Sequence, residues 1–149
     1  MAKAATIHFD GMCEPRNPGG WMGAGWVLQW IDDDGEQFRE TGSRVWHPKS
    51  SNTNNLAEWR ALYFGLYALS EIIDHTRMLT LYGDSQLVVN QFNGDWQCRK
   101  TYLASWRDGC TDIAGSLSGI VQAVWIPREN NVEADTLSRR DYAVTALKS

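Results

Sequence analysis

Cysteine is scarce in this chain: Cys13, Cys98 and Cys110 are all there is. The number is odd and no two of them stand in a C-x-x-C spacing. That argues against a disulfide framework and a cysteine-built zinc site, and makes a reducing cytoplasm the expected compartment. No apolar run approaches the roughly 20 residues of a membrane span. The opening segment MAKAATIHFD has no long apolar stretch behind its lysine and does not read as a secretory signal. There is no internal repeat, low-complexity tract or interdomain linker. What remains is 149 residues that are 43% apolar and 21% charged. That is the profile of one globular domain over residues 1–149, long enough to bury a sizeable core.

Basic residues are also few, with 14 Lys and Arg against 18 Asp and Glu, for a net charge of −4. Phosphate backbones attract basic surfaces, so this balance argues mildly against a nucleic-acid partner. The objection weakens if part of the acidic excess holds divalent cations, since two of them would neutralise the sum.

Along the chain, Thr6 to Phe9 is a short β-type stretch running into Asp10 and Gly11. A turn-rich loop from Glu14 to Gly20 follows. Gly25 to Ile31 and Gln37 to Trp46 flank Asp34-Gly35, which predicts a hairpin with a type I′ turn. The run Asp32-Asp33-Asp34-Gly35 is not a calcium loop: aligning Gly35 with the glycine of such a loop puts Trp30 and Thr41 at the first and last ligand positions. From Leu56 to Ile73 the period becomes helical, with Trp59, Leu62, Tyr63, Leu66, Leu69 and Ile73 on one stripe. Met78 to Tyr82 reads as a buried strand, then a helix from Ser85 to about Phe92 and a weaker one from Tyr102 to Ala114. Ile120 to Ile126 reads as another buried strand, stopped by Pro127, and Asn131 to about Tyr142 as a last helix. The tail from Asp141 to Ser149 reads as either ordered or frayed. A hairpin followed by strands alternating with helices predicts an α/β fold, a mixed sheet with helices on its faces.

Four acids stand at edges of these elements. Asp84 follows a strand and precedes a helix, a corner where open α/β sheets gather ligands. Asp135 lies in the first turns of the last helix, Glu58 in the first turn of the long central helix, and Asp10 at the end of the first strand's apolar stretch. Each has a bland use. Asp84 suits a helix N-cap, Asn55-Leu56-Ala57-Glu58 a capping box, Asp135 a helix dipole, and Asp10 a turn with Gly11. Brought together, the four would repel one another. Mg²⁺, which binds carboxylates, water and phosphate oxygens, would relieve that repulsion. Two such ions about 4 Å apart suit hydrolysis of a phosphodiester.

Four segments carry a pattern: Phe9-Asp10-Gly11 leading to Asn17-Pro18-Gly19; Thr53-Asn54-Asn55-Leu56-Ala57-Glu58; Gly83-Asp84-Ser85-Gln86; and Asn130-Asn131-Val132-Glu133-Ala134-Asp135. In these the chain resembles the type 1 ribonuclease H family. No single segment is specific, but their order and spacing together are. The resemblance implies a ribonuclease H-like fold with a mixed five-stranded sheet flanked by helices. It implies that Asp10, Glu58, Asp84 and Asp135 bind two Mg²⁺ or Mn²⁺ ions, and that the RNA strand of an RNA–DNA hybrid is cut to leave a 3′-hydroxyl and a 5′-phosphate. Asn17, Asn55 and Gln86 then read the hybrid's minor groove, where amides can bond 2′-hydroxyls and base edges, and Thr53 belongs to a phosphate site for the DNA strand. Turn and cap duty is the competing use of Asn17 and Asn55.

Two features depart from many relatives. The basic, Trp-rich protrusion after the Asp84 helix is reduced to Asn93–Lys100, with Trp96, Arg99 and Lys100 as a possible substitute or a solvated corner. The loop before Asp135, Trp125-Ile126-Pro127-Arg128-Glu129, lacks the usual histidine, since His8, His47 and His75 are elsewhere. The chain thus resembles the compact archaeal and bacterial subgroup. Arg128 or Glu129 would assist the site or form a plain surface loop. The expected partner is a hybrid duplex, with no membrane and a monomeric chain. The rival readings are a catalytically inactive hybrid-binding module and a DEDD-type 3′–5′ exonuclease, whose pattern wants Glu where this chain has Met12.

Overall fold

The structure is a computed structural model that describes residues 1–148, with side chains through Thr145; Ser149, the end of the tail, lies outside the described residues. Strands β1 (Ala2–Glu14), β2 (Trp21–Asp32) and β3 (Gln37–Trp46) lead into helix α1 (Asn54–Ser70). Then come β4 (Leu79–Gly83), α2 (Gln86–Asn93), α3 (Thr101–Leu117), β5 (Val121–Trp125), a short 3₁₀ turn (Arg128–Asn130) and α4 (Val132–Lys148). The sheet order is β3-β2-β1-β4-β5. The first three strands pair antiparallel, and β4 and β5 add on in parallel. This is the mixed five-stranded sheet expected from the sequence. Among the described residues, no helix is long and apolar enough to cross a membrane.

The two faces of β1 explain how the helices are distributed. Ile7 and Gly11 face α1: a Cβ on Gly65 of α1 would meet Ile7, and one on Gly11 would lie 2.3 Å from the Ala57 carbonyl carbon. Asp10 and Met12 pair with Gly25 and Gly23 of β2, and Cβ atoms on those glycines would strike Ala134 and Ser138 of α4. Cross-strand partners share a face, so Asp10 points to the α4 side. The α1 stripe behaves as the periodicity requires. Trp59, Leu62, Leu66 and Leu69 are fully buried, and Tyr63 packs half-buried against the same core. The helix itself stops at Ser70, short of Ile73.

Several sequence expectations need correction. The Thr6–Phe9 stretch is only the middle of β1, because β2 pairs along it from Ala2 to Glu14. The hairpin tip is not type I′, since only Gly35 has positive φ (84°) and no non-glycine residue does. It is a turn over Asp32–Gly35, closed by Gly35 N–H to Asp32 O at 3.0 Å, with glycine in the left-handed position. The Asp32 carboxylate stabilises it by accepting from the N–H groups of Asp34 and Glu36 at 3.0 and 2.9 Å. Nor are the last two strands buried throughout. Met78 and Ile120 are exposed and lie outside them, and in β5 only Ala123 is buried. β5 is an edge strand, and α4 packs across β1, β2 and β3 instead of over it. The outer edge of β5 is met by one side chain: Asn93 donates to Ala123 O at 2.8 Å and accepts from Ala123 N–H at 3.1 Å.

Gly11→Ala should destabilise the protein by about 1–3 kcal/mol, because the added carbon overlaps helix backbone that has little room to yield. The midpoint of denaturant unfolding measures this. A Gly11→Ala protein as stable as the parent would show that α1 slides off β1 without loss.

Candidate active site

Beyond the pair Phe9–Gly83, β1 continues while β4 ends. The gap opens beside Asp10, and Asp84 follows Gly83 directly into it. Asp10 is thus interior to its strand but at the end of its parallel pairing, the kind of position where open α/β sheets bind ligands. Because Gly11 admits the backbone of α1, Glu58 reaches the same gap from the second turn of that helix. Carboxylate oxygens of Asp10, Glu58 and Asp84 lie within 4.8 Å of one another. Asp135 comes from the first turn of α4 and hydrogen-bonds with Asp10.

The capping alternatives fall to other residues. Thr53, not Asn55, is the N-cap of α1, its hydroxyl accepting from Leu56 N–H at 3.1 Å. Ser85, not Asp84, caps α2 by accepting from Val88 N–H at 3.2 Å. Asp10 lies inside β1 and not in a turn. Asp135 alone keeps its dipole-complementing position, which it combines with a place in the cluster.

Burial pushes the Asp10 carboxyl up to about 8; the charges of Asp84 and Asp135 push the same way, and a hydrogen bond with Glu58 opposes them. Burial, then the Asp10 charge, raises Glu58 well above the usual range. Asp84 is raised too, chiefly by burial and against a hydrogen bond with Asp10. Asp135 is lowered: its partial burial acts upward, but hydrogen bonds with Asp10 and Arg139 outweigh it. Arg139 Nε donates to Asp135 Oδ1 at 3.2 Å, and Arg128 Nη2 stands 3.6 Å from Asp135 Oδ2. The other end of Arg139 pairs with Glu14.

The acids line a cleft of about 310 Å³ whose walls also include Asn54, Trp125, Arg128 and Arg139. Asn17 is exposed, and its side-chain oxygen accepts from Asn54 N–H at 3.1 Å. Asn55 is half-buried in the first turn of α1, and Gln86 is exposed at the start of α2. Glu129 is exposed in the 3₁₀ turn and does not line the cleft, nor do Trp96, Arg99 and Lys100. Trp96 is 47% exposed, Arg99 bonds Gln97 within its own loop, and Lys100 precedes α3.

Several residues escaped the sequence reading. Asn52, 2% exposed, donates to Gly20 O and His47 O at 2.9 Å each. It thereby ties the loop bearing Asn17 to the segment bearing Thr53. Asn131 donates to Phe9 O at 2.9 Å, and Trp125 Nε1 donates to Asp84 O at 3.1 Å. Arg139 stands one helical turn after Asp135, a spacing that signals an i,i+4 pair and was legible. The partners of Asn52 and Trp125 are main-chain carbonyls, which no motif marks.

The sequence profile described as reverse transcriptase-like matches residues 8–141, and the chain belongs to that family. Its resemblance to type 1 ribonucleases H is borne out by the relatives. It is 33% identical to the ribonuclease HI of Halobacterium salinarum over 88% of this chain and 60% of that protein. It is 28% identical to the uncharacterized protein YpeP of Bacillus subtilis over 91% of this chain and 57% of that one. The chain therefore spans little more than half the length of these two relatives. Among solved structures it is similar to LC11-RNase H1, isolated from compost, in complex with RNA/DNA hybrid. That match has a TM-score of 0.78 at 27% identity and covers 94% of this chain and 99% of the other.

Between its ordinary value of 3.8 and about 8, Asp10 keeps a proton in the folded protein that the unfolded chain has released. Unfolding then releases a proton, so in chelator this group makes stability fall as pH rises through that window. Glu58 and Asp84 add to the fall and Asp135 opposes it. Melting temperatures between about pH 5 and 8 should drop less for Asp10→Asn than for the parent, and millimolar Mg²⁺ should reduce the parent's drop. Identical pH profiles for the two proteins in chelator would contradict the buried, protonated Asp10.

Proposed function

We propose that this protein is a metal-dependent endonuclease that hydrolyses the RNA strand of RNA–DNA hybrids, leaving 5′-phosphate and 3′-hydroxyl ends, and that residues 1–149 form one such domain. The observation that carries the reading is the convergence of Asp10, Glu58 and Asp84 from β1, α1 and the end of β4, with Asp135 beside them.

The donor set suits hard divalent cations. It consists only of carboxylate oxygens at close range, and Glu58 Oε2 is buried without a hydrogen-bond partner, a condition a cation would relieve. Two Mg²⁺ or Mn²⁺ ions held by Asp10, Glu58, Asp84 and Asp135 would supply activation of the attacking water and stabilisation of the leaving oxygen. The chain's own groups prepare the place. Arg139 and Arg128 keep Asp135 ionised and oriented. Trp125 holds the backbone of Asp84, and Asn131 holds the β1 carbonyl next to Asp10. Asn17 is braced against the N-terminus of α1, which leaves its amide NH₂ free for a 2′-hydroxyl or a base edge. Asn54, Asn55 and Gln86 would do the same, and Thr53 would meet a phosphate of the DNA strand.

An Asp84→Asn protein should fold and lose at least about 10³ in turnover, the scale of removing a main electrostatic stabiliser. The measurement is cleavage of an end-labelled hybrid with Mg²⁺ or Mn²⁺, with and without chelator. Internal cuts in the RNA strand that vanish with chelator and with Asp84→Asn support the proposal. Terminal laddering would indicate an exonuclease, retention without cutting a binding module, and parent-like cleavage by folded Asp84→Asn would defeat the assignment of the acids.

A further inference from the structure

Strand β3 closes one side of the sheet and pairs with β2 alone. It runs for ten residues, and Gln37 through Thr41 are exposed without a break. Its outward N–H and C=O groups form a row on which a further strand can pair. Helix α4 reaches β3 only at a side chain: Ser43 Oγ donates to Asp141 Oδ2 at 3.0 Å and accepts from Arg140 Nη2 at 2.6 Å. Among residues 1–144 no side chain hydrogen-bonds the β3 backbone, so the edge itself is clear.

Charges on an edge strand ordinarily keep other strands away. On β3 they are arranged to accept one strand in particular, a second copy of β3. Gly42 pairs with Trp26 across the sheet, and Trp26 packs on Phe64 of α1. Alternate residues of a strand share a face, so Phe38, Glu40, Gly42, Arg44 and Trp46 all stand on the α1 side. Two β3 strands can run antiparallel about a two-fold axis perpendicular to the sheet, which keeps like faces together. With the axis at Gly42, Glu40 lies opposite Arg44 of the second copy and Phe38 opposite its Trp46, and each pair occurs twice. On the other face Thr41 meets Ser43 and Arg39 meets Val45. Moving the axis to Glu40 or to Arg44 sets like charges against each other. Moving it to Thr41 puts Glu40 opposite Gly42, and moving it to Ser43 puts Arg44 opposite Gly42, so that neither charge is answered.

The structure supports the Gly42 register at each position. Neither Glu40 nor Arg44 has an ion-pair partner among the described residues, whereas Arg39, on the other face, is paired with Glu133. The Arg44 guanidinium is already held, 4.5 Å from the Phe64 ring centre and 5.6 Å from that of Trp46, so little side-chain freedom is lost when a carboxylate meets it. At the axis itself, a Cβ on Gly42 would lie 2.4 Å from Trp26 Cε2. The Trp26 indole fills that space and extends toward the edge, where its counterpart would arrive. Phe38 is 38% exposed and lies flat on Trp30, ring centres 5.5 Å apart, which leaves its outer side for the second copy's Trp46.

We propose that β3 is a homodimerisation edge, on which two copies of the chain join about Gly42 into one continuous ten-stranded sheet. Residues directly opposite across such a pair stand about 4.5–5.5 Å apart at Cβ, within reach of a salt bridge and of ring contact. Pairing uses the β3 edge of both copies, so assembly closes at two. Because the joined strands are antiparallel, the two acidic clefts open at opposite ends of the sheet, and β2 and β1 separate each from the junction. The dimer therefore does not depend on the nuclease reading, and it takes the place of the monomer expected from the sequence.

Sedimentation velocity of the full chain from about 1 to about 100 µM, at low and at moderate salt, tests this. The parent should pass from monomer to dimer across that range, with dimer favoured at low salt because its ion pairs lie at the surface. Glu40→Arg places two Arg–Arg pairs across the axis and should weaken dimerisation at least about tenfold, and Arg44→Glu should do the same with two Glu–Glu pairs. The double variant Glu40→Arg/Arg44→Glu restores opposite charges and should restore the dimer. Mixing the two single variants should give a heterodimer, since each supplies the charge the other needs, although neither pairs with itself. Glu40 has no ion-pair or hydrogen-bond partner, so Glu40→Arg and the double variant carry the test if Arg44→Glu does not fold. A parent that stays monomeric across the range, a dimer indifferent to Glu40→Arg, or a double variant no more associated than Glu40→Arg overturns the proposal. Cleavage of the hybrid is a separate readout. A dimeric parent that cuts nothing defeats the nuclease reading and leaves the dimer standing, and a monomeric parent that cuts does the reverse.

Discussion

The close contact of α1 with Gly11 of β1 sets the geometry on both sides of that helix. With no side chain at position 11, the backbone at Ala57 and Glu58 sits directly on the strand. Glu58, one residue past the contact, is drawn against Asp10, although that aspartate points to the other face of the sheet. Arg60, two residues further on, emerges on the far flank, between the Trp46 and Trp106 rings. A helix held an ångström or two further away would separate the carboxylates and release the arginine from between its indoles. The glycine is therefore less a feature of the strand than a spacing element between strand and helix.

The charges around that contact are sorted. Acids gather in the notch where β4 ends and Arg44 and Arg60 lie across the helix from it, while Arg128 and Arg139 lie on the acid side only where they hold Asp135. This arrangement grades the cluster. Asp135 is ionised at neutral pH, while Asp10 and Glu58 favour their protonated forms because burial and mutual repulsion act on them together. Loading a cation would therefore displace protons, and occupancy would be linked to pH as well as to cation concentration. A net charge of −4, which first argues against nucleic acid, says little about a surface whose opposite charges are segregated within a helix's width.

Much of this was legible in the sequence, for physical reasons that differ by element. The α1 stripe was readable because burial repeats at three and four residues, and β3 was placed to the residue by its turn and its aromatic end. The sites of the four acids were readable because strand ends and helix starts converge in α/β sheets. The hairpin tip was misread because it is a turn with one left-handed residue, Gly35, closed on the Asp32 carbonyl and steadied by the Asp32 carboxylate, where a type I′ turn needs two. β5 was misread because an apolar run does not say whether a strand has one neighbour or two. The tie made by Asn52 and the stack around Arg60 depend on elements distant in sequence. Trp46, Arg60 and Trp106 come from a strand and two helices, and nothing local marks them as neighbours.

Asn93, at the end of α2, does something for β5 that no further strand does. An exposed edge offers unpaired N–H and C=O groups on which a foreign strand can grow. Here one carboxamide answers both groups of Ala123 at the middle of a five-residue strand. A chain approaching that edge would have to displace two hydrogen bonds before forming its own, and would gain only a short ladder in return. A sheet that must keep one margin open beside its cleft, where Trp125 and the loop to Asp135 begin, is thereby guarded against templating its own aggregation.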